Sequence, residues 1–316
     1  MLEYRLIEAL AMVVREGGFE KAARVLHVTQ SAVSQRIRQL EAAAGTALVT
    51  RAAPVTPTEA GRRLLRHYHQ VSMLEADLER DMAARFSAEL LGEGGAAHGR
   101  APAYRQLSVA VNADSLATWF LEAVDAVAEQ EKLLLDVLVD DQDRTHDLLR
   151  NGEVVGCVST RATPFHGCSM QRLGSMEYLV CAAPDFAAEH GLRVGADGRA
   201  ATAADLLRAP AVLYNRVDGV HDTMLQTLYG IAPDTPYPRH YVPSSEAFVK
   251  MVAAGFGWGC VPHLQAEPLL AGGELVDLAP GWALPVALHW HWWDLGTGLF
   301  KRMAAVLSDH AALVLR

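Results

Sequence analysis

A helical pattern in the first 45 residues constrains the fold of this chain more than any other feature of the sequence. Apolar residues recur at helical spacing from Leu6 to Val13, and Gly17-Gly18 ends that pattern. A second helical stretch follows over residues 19–26. Because isolated helices this short are only marginally stable in water, we expect them to pack against another element of the same domain.

That third element is an amphipathic helix, predicted from Gln30 to Ala43 after a tight turn. Thr29 is placed to cap it, since a threonine hydroxyl accepts a hydrogen bond from a backbone N–H two or three residues on. Gly45 is typical of the residue that follows a helix C-terminus. The inward face carries apolar residues at positions i, i+4 and i+7: Val33, Ile37 and Leu40. The three helices together predict a helix-turn-helix.

The outward face of the third helix presents side chains that form hydrogen bonds. Glutamine pairs with adenine in the major groove, arginine pairs with guanine, and serine contacts several base edges. In a helix-turn-helix the N-terminal residues of this helix lie nearest the groove. A three-helix bundle with a solvated polar face fits the pattern equally well. The candidate DNA-reading residues are Thr29, Gln30, Ser31, Ser34, Gln35 and Arg38.

The distribution of charge favours DNA as a partner, although the whole chain has a net charge of −9. Residues 1–66 contain ten Arg and Lys against six Asp and Glu, a local charge of +4, and the remainder carries −13. This asymmetry is expected when only one domain meets phosphate. Residues 46–58 contain two short extended pieces around Ala52-Ala53-Pro54, which predict a small β wing. Phosphate contacts, which set register and not sequence, are predicted for Arg36, Arg51, Thr56 and Thr58.

The rest of the chain divides into a long helix, a linker and an α/β region. The apolar stripe and charged flanks of residues 59–91 predict either a helix that pairs with a second copy or a plain surface helix. The Gly- and Ala-rich residues 92–103 predict a flexible linker. Strands then alternate with helices, which predicts an α/β sheet with parallel members. The strands are predicted at 107–112, 133–139, 154–159, 178–183, 211–214, 258–261 and 286–292, and the helices at 116–129, 144–151, 247–254 and from 298.

Composition and motifs argue against several classes of protein. No basic-then-apolar leader and no apolar run long enough to span a bilayer occur, so we expect a cytoplasmic protein and not a free solute-binding protein. The cysteines lie far apart without a C-x-x-C pair, which is typical of reduced thiols. His289 and His291 alternate on a strand near Asp294, but two such histidines are more often structural than metal-binding. No nucleophile elbow, Walker A or dinucleotide motif occurs. We predict no catalytic residue, metal or cofactor. A metal-dependent enzyme built around the two histidines is the alternative to a binding protein.

The stretch from Phe19 to Arg51, with PTEAGRRLL after it, resembles the winged helix-turn-helix of LysR-type transcriptional regulators. One departure is Ala47-Leu48-Val49, where many members have a leucine-phenylalanine pair. The resemblance favours DNA binding over a plain bundle. The matching residues are Ala22, Ala23, Leu26, Thr29, Gln30, Ser31, Ala32, Val33, Ser34, Ile37, Leu40, Glu41, Gly45, Leu48, Arg51, Thr58 and Gly61.

The resemblance also implies an architecture and partners for the whole chain. The effector domain would be similar to periplasmic binding proteins, with a ligand in the cleft between two α/β subdomains. Double-stranded promoter DNA, further copies of the chain in a dimer or tetramer, and RNA polymerase are the implied partners. The implied divisions are a DNA-binding domain (1–58), a dimerisation helix (59–91), a linker (92–103), subdomain I (104–161 plus 267–316) and subdomain II (162–266).

Several segments beyond the linker resemble the arginine- and lysine-responsive (ArgP/LysG-like) subgroup of this family, which controls basic amino-acid export. They are LSVAVNADSLATWFL, LRNGEVVGCVST, VPSSEAFVKMV, CVPHLQAEPLLAGGELVDLAPG and LHWH. The resemblance implies L-lysine or L-arginine as the effector. A different small-molecule effector is the alternative within the family.

Polar residues at predicted strand ends supply candidate ligand contacts. Ser115 and the free backbone N–H groups of its turn suit an α-carboxylate, and Asp114 either contacts the ligand or caps the helix. Asp140 and Asp141 follow the second strand, where they either pair with an ammonium or guanidinium group or form an exposed acidic turn. The full set of candidates is Asn112, Asp114, Ser115, Thr118, Asp140, Asp141, Ser159, Ser245 and Glu246.

Overall fold

A computed structural model describes residues 3–50, 52–90, 104–140, 145–194, 200–233 and 235–316. The predicted linker, residues 92–103, lies outside these ranges. The N-terminal part, called the head here, contains the predicted helix-turn-helix and leads into one long helix. Its helices are α1 (Tyr4–Arg15), α2 (Phe19–Val25), α3 (Gln30–Ala44) and α4 (Glu59–Leu90).

The ends of α3 form as its sequence predicts. The Thr29 hydroxyl accepts a hydrogen bond from the Ala32 N–H at 3.2 Å. Gly45 ends the helix in the left-handed region, with φ at +67°. The inward residues Val33, Ile37 and Leu40 are all buried in one core with α1 and α2. The predicted helix-turn-helix is therefore confirmed, and its stability comes from the apolar face of each short helix.

The predicted wing is formed by a short antiparallel β pairing within the segment that connects α3 to α4. Val49 pairs with Pro57, and the Thr50 N–H donates to the Thr56 carbonyl at 2.8 Å. The wing packs closely against α4 because Gly61, which has no side chain, lies directly over the Leu48 carbonyl.

Beyond α4 the chain forms a mixed sheet. Its strands are β1 (Arg105–Asn112), β2 (Leu133–Asp140), β3 (Gly156–Ser159), β4 (Cys168–Ala182), β5 (Ala211–Leu213), β6 (Arg239–Tyr241), β7 (Gly259–Pro262), β8 (Val276–Asp277) and β9 (Leu284–Trp293). Seven strands share one sheet in the order β2-β1-β3-β9-β4-β7, with β8 paired to β4. β1 is parallel to β2 and β3, whereas β9 and β7 run antiparallel to their neighbours. β5 and β6 form a separate parallel pair.

The helices of this α/β part connect and cover the strands. They are α5 (Ala113–Thr118), α6 (Phe120–Gln130), α7 (Thr145–Asn151), α8 (Pro184–Glu189), α9 (Ala203–Arg208), α10 (Val220–Tyr229), α11 (Ser245–Ala253), α12 (His263–Ala271) and α13 (Gly298–Val314). α/β architecture with parallel members is therefore confirmed. Among the described residues, no helix is both long and apolar enough to cross a membrane.

Two predicted elements differ in extent for physical reasons, and the sequence did not predict α8, α9, α10, α12, β6 and β8. The single helix predicted over 116–129 begins at Ala113 and is interrupted at Trp119, whose φ is −127° and whose ring is buried. The strand predicted over 178–183 is the second half of β4, which begins ten residues earlier at Cys168. Its first half has only one short alternation, Cys168-Ser169-Met170-Gln171, which ends at Arg172, and its pairing with β9 makes it a strand.

The carboxyl ends of β1 and β2 meet at one edge of the sheet, where Asn112 pairs with Asp140. The long pairing of β4 with β9 joins the two predicted subdomains through a single hydrogen-bonded sheet. The helix that follows β1, α5, contacts α11, so the carboxyl end of β1 and the start of α11 lie close together.

Candidate functional site

The outward face of α3 is open to solvent, as a DNA-reading surface requires. The side chains of Gln30, Ser31, Gln35 and Arg38 are exposed, and those of Ser34 and Arg36 are partly buried. The exposed residue Thr29 caps the helix, and its hydroxyl lies 2.9 Å from that of Ser31. Direct base contact by these residues stays a prediction.

The two wing threonines use their hydroxyls inside the protein. The Thr56 hydroxyl lies 2.8 Å from that of Thr50. The Thr58 hydroxyl donates to the Ala47 carbonyl at 2.8 Å and accepts from the Gly61 N–H at 3.1 Å. Thr58 thus holds the wing to α4, and its phosphate contact stays a prediction. Arg51, the other predicted wing contact, lies outside the described residues.

A cavity of about 480 Å³, including its open mouth, lies at the carboxyl end of β1. Its lining comes from two stretches of the chain, residues 112–114 and residues 178–262. None of the described lining residues is a lysine or an arginine. The lining residues are Asn112, Ala113, Asp114, Tyr178, Tyr214, Asp218, Val220, Ser245, Phe248, Cys260 and Pro262.

Asp114 is the most constrained acidic residue of the cavity. Its Oδ2 accepts a hydrogen bond from the Tyr178 hydroxyl at 2.7 Å. Burial raises the pKa of the Asp114 carboxyl, hydrogen bonds from Ser245 and Tyr178 oppose that rise, and the nearby charge of Asp218 adds to it. The Ser245 hydroxyl also donates to Gln265 Oε1 at 3.0 Å. Because this hydroxyl has one proton, it satisfies only one of these two acceptors at a time.

Asp218 is the second carboxylate of the cavity. Its Oδ1 accepts from the Val220 N–H at 2.9 Å, and its Oδ2 accepts from the Tyr214 N–H at 3.3 Å. These backbone donors hold the carboxylate in the turn before α10. Two carboxylates that share one cavity are stabilised by a cation between or beside them.

Asn112 supplies an unused acceptor. Only 3% of the residue is exposed, and its Oδ1 has no hydrogen-bond partner within the described part of the chain. A buried polar atom without a partner is costly, on the order of 1–3 kcal/mol. An N–H group of a bound ligand would satisfy it. The cavity therefore has the chemistry of a site for a cationic nitrogen ligand.

The structure brings three of the predicted ligand contacts, Asn112, Asp114 and Ser245, into the cavity lining, and it places four others outside that lining. Successive side chains of a helix point about 100° apart, so the residues that follow Asp114 and Ser245 face other directions. Ser115 is buried outside the cavity lining, and Glu246 is exposed on α11.

The other two residues outside the lining, Thr118 and Ser159, use their hydroxyls in hydrogen bonds to nearby backbone atoms. The Thr118 hydroxyl donates to the Asp114 carbonyl at 2.6 Å, along the helix. The Ser159 hydroxyl accepts from the Arg161 N–H at 3.2 Å and stays in the strand end. The side chain of Asp140 and the whole of Asp141 lie outside the described residues.

Sequence reasoning missed three polar residues of the cavity: Tyr178, Tyr214 and Asp218. Two signals were available. Tyr178 and Tyr214 occupy the ends of predicted strands, and Asp218 precedes Gly219 in an Asp-Gly pair, which is typical of turns.

The two histidines of the alternative, metal-binding interpretation lie in the interior, whereas Asp294 is exposed. His289 and His291 are buried with ring centroids 6.3 Å apart, and His291 Nε2 lies 2.8 Å from the Arg161 carbonyl. Burial lowers the pKa of both imidazoles, which favours their neutral forms. Within the described ranges, no group of three or more His, Cys, Asp or Glu side chains is arranged to hold a metal ion. Burial also raises the pKa of Cys157, which disfavours a reactive thiolate.

His221 supports one wall of the cavity and makes stability depend on pH. Its Nε2 accepts from the Cys260 N–H at 3.1 Å, and burial lowers its pKa from 6.5 to about 3. The unfolded chain therefore takes up a proton first, and the stability supplied by neutral His221 is lost as the pH falls below 6.5.

We expect the free energy of unfolding of the ligand-free protein to fall between pH 8 and pH 5 by about 2 kcal/mol more than that of His221→Gln. Urea unfolding of both proteins at the two pH values measures this difference. Parallel pH dependences in the two proteins would contradict it.

Comparison with known proteins places both parts of the chain. Residues 4–62 match the family described as bacterial regulatory helix-turn-helix protein, lysR family, and residues 101–308 match the LysR substrate binding domain. The HTH-type transcriptional regulator ArgP of Pseudomonas aeruginosa strain UCBPP-PA14 is 42% identical over 310 residues, which cover 98% of this chain and 95% of that protein. ArgP of Aeromonas salmonicida is 42% identical over 318 residues, covering 100% and 98%.

Two solved full-length structures are also similar. ArgP from Mycobacterium tuberculosis has a TM-score of 0.81 and 36% identity, covering 100% of this chain and 99% of that chain. LysG from Corynebacterium glutamicum, solved with bound effector Arg, has a TM-score of 0.71 and 30% identity, with all of both chains covered.

Proposed function

The chain belongs to the LysR family of DNA-binding transcription regulators, and we propose that its cavity holds L-arginine or L-lysine as the effector. The observation that carries this proposal is the pair of carboxylates, Asp114 and Asp218, in a cavity lined by no described lysine or arginine. A guanidinium or ammonium group of the ligand would bring positive charge beside these carboxylates. Charge-assisted hydrogen bonds of this kind are about twice as strong as neutral ones.

Two further facts support a nitrogen-rich cation as the ligand. The Asn112 Oδ1 is a buried acceptor without a described partner, and an N–H group of the effector would satisfy it. The similar LysG protein was solved with arginine bound, and the similar ArgP proteins are named as regulators. Ligand binding would then alter how the heads lie on DNA.

The experiment that tests the effector is calorimetric titration of the full chain with arginine, lysine and L-citrulline. Citrulline has nearly the shape of arginine but carries an uncharged ureido group, so it isolates the contribution of charge. We expect arginine or lysine to bind at least about tenfold more tightly than citrulline, from charged hydrogen bonds worth roughly 1.5–3 kcal/mol. No heat with either basic amino acid at millimolar concentration would exclude this effector class.

We propose that the exposed face of α3 reads base edges and that the wing contacts phosphate. Replacing Gln35 by Ala is expected to weaken binding to the specific site roughly 5- to 150-fold, since a bidentate base contact is worth about 1–3 kcal/mol. Binding to unrelated DNA should change little, because phosphate contacts remain. A gel-shift titration with DNA from upstream of the gene, with unrelated DNA as competitor, measures both affinities.

The matched control is Gln130→Ala, which makes the same change at an exposed residue at the end of α6. We expect it to bind both DNAs like the wild type. Equal losses on specific and unrelated DNA for Gln35→Ala would contradict base reading by this residue.

The remaining properties are proposed together: a cytoplasmic, non-enzymatic homotetramer that controls a basic amino-acid exporter gene. The division into two subdomains with a boundary near residue 161 agrees with the two stretches that line the cavity. Pairing through α4 is supported by three exposed apolar residues at four-residue spacing, Leu74, Leu78 and Met82. Light scattering on the purified chain tests the assembly, and transcript measurement after gene deletion tests the target.

A further inference from the structure

We infer that Tyr178 is a positioning residue for the effector, holding the Asp114 carboxylate charged and oriented for the ligand's cationic group. This inference rests on the proposed function of the cavity. The hydroxyl of Tyr178 donates to Asp114 Oδ2 at 2.7 Å, a well-formed O–H···O hydrogen bond. The two residues are 64 positions apart in sequence, so only the folded chain brings them together.

The ring of Tyr178 is fixed by its surroundings. Only 2% of the residue is exposed, and its backbone pairs with Pro262 on one side and with Leu284 on the other. The pairing on both sides fixes the backbone of Tyr178, and burial of the ring restricts its rotamer. Asp114 lies on the short helix α5, so the bond ties a carboxylate on a small element to a rigid one.

The groups around Asp114 explain why it needs such a donor. The other titratable lining residues are Tyr214, Asp218 and Cys260, and none of them brings a positive charge. Burial and the charge of Asp218 both raise the pKa of Asp114, whereas the hydrogen bonds from Ser245 and Tyr178 lower it. The Ser245 hydroxyl donates to Gln265 Oε1 at 3.0 Å, whereas the Tyr178 hydroxyl donates to Asp114.

The elements packed against α5 add no compensating charge. α5 contacts β1, α6 and α11. The charged side chains of α6 and α11 are all exposed: Glu122, Asp125, Glu129, Glu246 and Lys250. Arg105 lies at the far end of β1, seven residues from the cavity edge. Loss of the Tyr178 hydroxyl should therefore let Asp114 take up a proton more readily, and a neutral carboxyl attracts a cation weakly.

The test is Tyr178→Phe in the full-length protein, titrated with arginine and with citrulline from pH 6 to pH 8.5. We expect arginine affinity at pH 7 to fall roughly 5- to 50-fold, within the range for losing a bond to a charged group. Citrulline affinity should change less than about twofold, and the pH midpoint of arginine binding should move upward. In an Asp114→Asn background the same substitution should leave arginine affinity unchanged within about twofold.

The matched control is Tyr229→Phe. The Tyr229 hydroxyl donates to the Ala201 carbonyl at 2.6 Å, and the residue does not line the cavity. It loses one tyrosine hydrogen bond without touching Asp114, so its arginine affinity and pH profile should match the wild type. Its unfolding midpoint also shows how much a lost tyrosine hydroxyl destabilises this fold.

The outcomes separate this inference from the proposed function. A wild-type protein that binds neither arginine nor lysine overturns the proposed function and this inference with it. A wild type that binds arginine, with equal losses of arginine and citrulline in Tyr178→Phe and an unmoved pH midpoint, overturns the inference alone. An undiminished effect of Tyr178→Phe in the Asp114→Asn background also overturns it, because Tyr178 would then act without Asp114.

Discussion

Replacing Asp114 by Asn is expected to weaken arginine binding by about 10- to 150-fold while raising the unfolding midpoint of the ligand-free protein. The loss of affinity follows from removing a charged partner whose hydrogen bonds are worth roughly 1.5–3 kcal/mol. Citrulline binding should change far less, since an uncharged ligand does not need the carboxylate. Calorimetric titration with both ligands and thermal unfolding of the ligand-free protein measure the two effects.

The gain in stability has a definite dependence on pH. The pKa of Asp114 is raised in the folded protein, chiefly by burial, so the protonated carboxyl stabilises the fold and that stability is lost as the pH rises through the folded pKa. Wild type and Asp114→Asn should therefore differ least below pH 3.8 and most at neutral pH. The asparagine keeps an oxygen that can accept from the Tyr178 hydroxyl.

Glu246→Gln is the control for this substitution, because Glu246 is an exposed acidic residue next to Ser245 on α11. It should bind arginine like the wild type. Equal losses of arginine and citrulline in Asp114→Asn would show that the carboxylate shapes the wall and does not read the ligand's charge.

Replacing Gly61 by Ala is expected to lower DNA affinity at least about tenfold while leaving arginine binding unchanged within about twofold. A Cβ atom at this position would lie 2.1 Å from the backbone carbonyl oxygen of Leu48, which already accepts from the Thr58 N–H at 2.9 Å. The obstacle is backbone and not a flexible side chain, so the wing must shift away from α4. Forcing extra volume into a packed site costs about 1–3 kcal/mol or more.

Gly18→Ala provides the same chemical change in the same head without the clash. No atom lies within 4 Å of a Cβ built there, and its φ of 178° is ordinary extended backbone. Gel-shift titrations and calorimetry on both variants separate damage to the wing from damage to the cavity. Normal DNA binding by Gly61→Ala would mean that the wing position is irrelevant to the complex.

The head could be predicted from sequence because its signals are local. The cap at Thr29, the stop at Gly45 and the apolar spacing of α3 all act within a few residues, and each appears in the structure where it was expected. The strands of the α/β part were largely predictable as well, since a buried strand reads as a short apolar run.

Predictions failed where a residue's neighbour lies far away in sequence. The first half of β4 is a strand because β9 pairs with it, and its own alternation stops after four residues, at Arg172. The break at Trp119 follows from burying a large ring, which the helical period does not reveal.

By itself the sequence determined the helix-turn-helix, the alternation of strands and helices in the α/β part, and the carboxyl end of β1 as the place of a candidate ligand site. Only the tertiary structure decided which groups form that site. It joined Asp114 to Tyr178 and Asp218, which stand 64 and more residues away, and it turned Glu246 to solvent one residue after Ser245. Helical periodicity and helix caps depend on residues that are neighbours along the chain. The electrostatic environment and the hydrogen bonds of a carboxylate depend on residues that are neighbours in space.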